Sequence, residues 1–155
     1  MKMLTMLIVA LLAYAENALA CLAEFGTQHT IPGLKSAADL SGNQYCAVRL
    51  TATANQINLA SEVAGVSGVG KRGIGILQNK PKTNEAATVA YMGLSKWVSG
   101  NTVTAGALVT YNSSGKCLDA VSGDLVMGTA LDAATVDGQV ISVVLFPPIR
   151  WGAVA

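Results

Sequence analysis

Gly65 to Arg72, GVSGVGKR, places glycines and a cation at the spacing G-x-x-x-x-G-K, which cradles a phosphate with backbone N–H groups. That chemistry needs a Ser or Thr hydroxyl on magnesium at the last position, where this chain has Arg72, and a helix leading away from the loop. The residues that follow, Ile74, Ile76 and Leu77, form a short apolar run stopped by Gln78-Asn79-Lys80-Pro81, the pattern of a buried strand entering a turn. Gly68, Gly70 and Gly73 also satisfy G-x-G-x-x-G, with no strand–helix–strand unit around them. A surface loop is the reading, and no nucleotide or other cofactor is expected.

The remaining reactive side chains assemble no better. His29 is the only histidine, and it stands in a segment with no sustained period, where nothing would hold it against a nucleophile. Cys21, Cys46 and Cys117 are an odd number and lack the close spacing of metal sites. Cys46 and Cys117 read as small buried apolar residues, with a disulfide between them left open. Asp119, Asp124, Asp132 and Asp137 fall at turns, where Asp bonds its own backbone, and no calcium-loop spacing occurs. Asn112-Ser113-Ser114 matches a glycosylation acceptor and equally a hairpin tip. No nucleophile, base and orienting group can be named together, so no catalytic residue, metal ligand or enzymatic activity is expected.

The elements that would carry these residues are short strands. Tyr45 to Thr53 alternates, Ile57 to Leu59 is brief, and the Gly73 to Pro81 strand follows. Ala86 to Met92 and Leu94 to Val98 read as two strands meeting at Gly93. Ala107 to Tyr111 and Lys116 to Ala120 flank Asn112-Ser113-Ser114-Gly115, a hairpin signal. Leu125 to Ala134 and Val140 to Phe146 come last, and Pro147-Pro148 is expected to close the sheet. The class is mainly β: a small barrel or sandwich of short antiparallel strands.

A chain of 155 residues supports one such core. Charged residues are 12% and the formal net charge is +1, so no basic field for nucleic acid exists. Four segments are expected: an apolar N-terminus at 1–22, an extended arm at 23–43, the β domain at 44–148 and a tail at 149–155. Lys2 with LTMLIVALLAYA and Ala18-Leu19-Ala20 before Cys21 fits a secretory signal, or equally a retained apolar helix docked on a partner. A membrane span is disfavoured by its length and by Glu16 and Asn17. In the arm, Gly26, Pro32 and Gly33 break any period, leaving Phe25 and Ile31 as apolar anchors. Candidate intersubunit or capsid contacts are Phe25, His29, Ile31, Pro32, Trp97 and Trp151, the two tryptophans reading as core or interface anchors, with interface favoured for Trp151, which follows the last strand.

From Gln44 to Pro148 the chain resembles the capsid cement, or head decoration, proteins of tailed bacteriophages. The likeness is carried by the strand ending in LQNKP, by Val89 to Gly93, by Thr104-Ala105-Gly106, by the loop at Ser114-Gly115, by Gly128 to Leu131, and by DGQVISVVL at Asp137 to Leu145. The apolar stretch Met1 to Leu22 departs from it. The resemblance implies a non-enzymatic virion protein on the outer surface of the capsid, whose partners are the major capsid protein and itself, as a trimer about a local threefold. No small-molecule substrate is expected. The alternative is an exported or lipid-anchored β domain that binds a cell-surface partner.

Overall fold

The computed structural model describes residues 28–60 and 72–152. Every regular element among them is a strand: β1 (His29–Ser36), β2 (Ala47–Leu50), β3 (Gln56–Leu59), β4 (Gly73–Leu77), β5 (Ala86–Val98), β6 (Leu108–Tyr111), β7 (Cys117–Asp119), β8 (Leu125–Ala130) and β9 (Val140–Arg150). They hydrogen-bond in the order β1-β3-β2-β4-β5-β9-β8-β6-β7, with β1 also paired to β5. That extra pairing closes β1, β3, β2, β4 and β5 into a five-stranded barrel, in keeping with the expected class. A second ring leaves from the far half of β5 through β9, β8, β6 and β7. It is drawn shut by a bridge between Cys117 and Ser99, the residue after β5 ends.

Strand alternation makes one wall serve two cores. Val48, Leu77 and Val89 point into the barrel with Leu34, Leu40, Ile57 and Ala87. Their chain neighbours Ala47, Ile76 and Ala90 point the other way, onto Trp97, Val109, Tyr111, Met127, Ile141 and Val143. The wall is thin because its residues are small. A Cβ on Gly75 would sit 2.2 Å from the Ala90 carbonyl oxygen, so strands β4 and β5 can be this close only with glycine there. On Gly73 it would meet the Tyr111 ring at 2.8 Å.

The LQNKP turn is fastened by its side chains. Gln78 Nε2 donates to the Ile76 carbonyl at 2.9 Å and to Ser95 Oγ at 3.1 Å. The Asn79 amide donates to the Ala86 carbonyl and accepts from the Thr88 N–H, at 2.8 and 2.9 Å, as a strand residue would. Pro81 is buried, and its carbonyl accepts from Leu40 N at 2.9 Å.

Several boundaries differ from the sequence reading, β8 ending at Ala130 and β2 at Leu50 among them. Ala86 to Val98 is one strand, not two: Gly93, at φ 94, turns it from the barrel into the second ring without ending it. β9 runs on to Arg150, because Phe146, Pro147 and Pro148 lie in a bulge opposite Met127, so the prolines owe the ladder no N–H. β2 starts at Ala47, since Tyr45 adopts φ 62 and cannot be strand. Within the segment read as an arm, His29–Ser36 is extended but belongs to the chain's own barrel, antiparallel to β5 and, through Lys35 and Ser36, parallel to β3.

Candidate functional site

The carboxylates are spent on turns. Asp119 accepts from Thr104 N at 3.0 Å, Asp124 from Val121 N at 2.9 Å and Asp132 from Ser142 N at 3.0 Å, while Asp137 pairs with Lys116 Nζ at 2.8 Å. The Ser142 bonds hold the Asp132 carboxyl below its ordinary value. No cluster of His, Cys, Asp and Glu that could hold a metal occurs among the described residues. Asn112 Oδ1 accepts from Ser114 N and Lys116 N, at 2.9 and 3.0 Å, which assigns the acceptor-like triplet to turn geometry. Cys46 and Cys117 are buried free thiols. Burial pushes both up, which suppresses the reactive thiolate. The glycine loop is outside the described residues up to position 71, and the segment it enters is strand β4, not a helix.

The six candidate contact residues separate. Phe25 lies outside the described residues. His29 is exposed at the start of β1, its ring 6.3 Å from that of Tyr91. Ile31 packs half-buried against the barrel core, and Pro32 is exposed on a bulge made with Gly33, at φ 76. Trp97 is a correction: it is 0% exposed and cannot touch another subunit. Its Nε1–H donates to the Gly115 carbonyl at 3.0 Å, the same oxygen that accepts from Ala47 N at 2.7 Å. The Gly115 carbonyl thus ties the β6–β7 hairpin tip to β5 through Trp97 and to β2 through Ala47, joining the two rings. Trp151 is 41% exposed on a backbone fixed by Asp124 and Gly123.

Near Trp151 stand two further exposed apolar side chains. Val121 is 65% exposed, and its turn is tied to Trp151 through Gly123 and Asp124, with the exposed Ile149 two residues back on β9. A second stretch covers the outside of β5, β9 and β8. There Leu94, Val144 and Thr129 stand in one row, and Val140 and Leu131 flank it. Val140 and Val144 face out while Ile141, Val143 and Leu145 face in. The sequence carried this signal in VISVV, apolar at both parities, which marks a strand whose two faces both seek cover. The reading of Val140 to Phe146 as a strand alone passed over it.

Beside that face is an open groove of about 210 Å³ where Tyr45, Gln28, Lys96 and Ser142 converge. Lys96 Nζ stands 5.9 Å from the centre of the Tyr45 ring.

No protein-family model matches the chain, and no curated protein matches it. Among solved structures it is similar to the head fiber gp8.5 N base of bacteriophage phi29, with a TM-score of 0.54 and 14% identity over 80% of this chain and 98% of that one. At that identity the likeness is one of fold.

Proposed function

We propose that this chain is a structural protein of a bacteriophage head. In finer terms it is a cement, or decoration, protein that binds the outside of the assembled shell and ties neighbouring capsomers together. The observation that carries the reading is the fold shared with a phage head fiber base over 98% of that domain. The sequence resemblance from Gln44 to Pro148 supports it from a separate direction. So does the surface: Val121, Ile149 and Trp151 at one end of the second ring, and Val140, Val144 and Leu131 on its flank, are the apolar area a docking protein must keep uncovered. The partners under this reading are the major capsid protein and further copies of the chain, arranged as a trimer so that several modest contacts act together.

The test is to add the purified chain to undecorated heads and measure co-sedimentation and the temperature at which the shell ruptures. Binding with a raised rupture temperature is expected, and Trp151→Ser combined with Val121→Ser is expected to weaken binding at least about tenfold while the free protein melts unchanged. Failure to co-sediment, with no change in rupture temperature, overturns the reading.

A further inference from the structure

We propose that the groove between Tyr45 and Ser142 is a binding site for one hexopyranose ring of an oligosaccharide. The inference stands apart from any capsid role. A sugar ring offers weakly apolar C–H faces and an edge of hydroxyls that both donate and accept. It is held by an aromatic face together with planar amides, carboxylates and small hydroxyls. The groove supplies the aromatic ring, the amides and the hydroxyls of that set.

Tyr45 gives the aromatic ring, which packs against the second ring's core and has Lys96 Nζ 5.9 Å from its centre, so a sugar shares it with that exposed ammonium. The Tyr45 backbone, at φ 62, lies in a region costly for a large side chain, yet it is fixed on both sides: its N–H donates to Leu77 at 2.8 Å and its carbonyl accepts from Val98 at 2.9 Å. The ring is thus delivered to the outer face of β5, half-exposed, by a rigid part of the barrel wall.

The polar edge comes from three elements. The Gln28 amide is held by its Nε2–H to the Leu94 carbonyl at 3.3 Å, which leaves Oε1 as an acceptor. Lys96 contributes an ammonium on the exposed side. Ser142 contributes a hydroxyl, and its N–H, bonded to the Asp132 carboxylate at 3.0 Å, fixes the strand there. Leu94 adds an apolar wall. At about 210 Å³ the space is smaller than the ~300–1,000 Å³ clefts of cofactor-sized ligands, and being open it takes one ring of a longer chain.

The experiment is a titration of the full chain, isotope-labelled, followed by amide NMR. The probes are methyl glucoside, methyl galactoside, diacetylchitobiose and glucuronic acid, each taken to roughly 50 mM, which suffices for millimolar sites. Shifts centred on the Gln78, Ser95, Lys96 and Ser142 amides are expected for at least one probe. Tyr45→Asn keeps a residue that tolerates this φ and is expected to weaken that binding about tenfold. Lys96→Ala, on an exposed position, is expected to weaken it about threefold with the melting temperature unchanged. No shift with any of the four probes overturns the site, as do shifts that Lys96→Ala and Tyr45→Asn both leave intact.

Discussion

The two rings share strand β5 and the same closed design, yet they handle apolar side chains differently. The barrel of β1 to β5 fills its interior with aliphatic residues such as Val48, Ile57, Leu77 and Val89, and of the large exposed apolar side chains among the described residues only Leu50 is on it. The second ring has Trp97, Tyr111 and Met127 inside, the first two tied by hydrogen bonds to the backbone, and it still carries Val121, Leu131, Val136, Val140, Val144, Ile149 and Trp151 outside. Charge divides along the same line. Among the described residues the barrel half has Lys35, Arg49, Arg72, Lys80 and Lys82 against Asp39 and Glu85, whereas the other half has four aspartates against Lys96, Lys116 and Arg150. One half is thus polar on its outside, while the other leaves large apolar side chains exposed.

Whether that contrast is also one of stability can be tested at the wall between the rings. Trp97→Ala is expected to have the largest effect, about 3–5 kcal/mol in denaturant unfolding, because it opens a cavity and removes the donor to Gly115. Since β5 belongs to both rings, one transition should be seen, with Cys46 and Cys117 becoming reactive to a thiol reagent together. Two resolved transitions would show the rings to be separate units and break the comparison. Gly75→Ala comes next, at about 2–3 kcal/mol, since the new methyl collides with backbone and not with a side chain that could turn away.

Tyr111→Phe is expected to cost about 1–3 kcal/mol by stripping the buried Gly73 N–H of the hydroxyl that accepts from it at 2.9 Å. It sharpens the comparison, since it tests a polar tie from the second ring's interior to the first strand of the wall. The smallest effect belongs to Asp132. Its folded value is depressed below 3.8, so its contribution is present above that pH and fades as the pH falls through the lower folded value. Melting temperatures measured from about pH 5 down to about pH 2 should fall less steeply in Asp132→Asn than in the parent chain.

The sequence made local features legible and left long-range ones hidden. The hairpin at Asn112 to Gly115 and the strand that ends in LQNKP were readable because glycine, asparagine and proline act on their near neighbours. The pairing of β1 with β5 joins residues more than fifty apart, and nothing in HTIPGLKS announces its partner. Gly93 reads as a break, since positive φ ends most strands, and only the change of partner from barrel to second ring turns it into a corner. Residue type alone leaves Trp97 as either a core or a contact anchor, and the structure makes it core. Its neighbours Ser95 and Ser99 gave no hint that this face is fully buried.

Ring closure also limits how copies of the chain can meet. With β1 laid on β5 and Cys117 bridged to Ser99, neither ring offers, among the described residues, a long run of unpaired backbone on which a foreign strand could template itself. Between the described parts of two molecules, contact therefore runs through side chains and not through a shared backbone ladder.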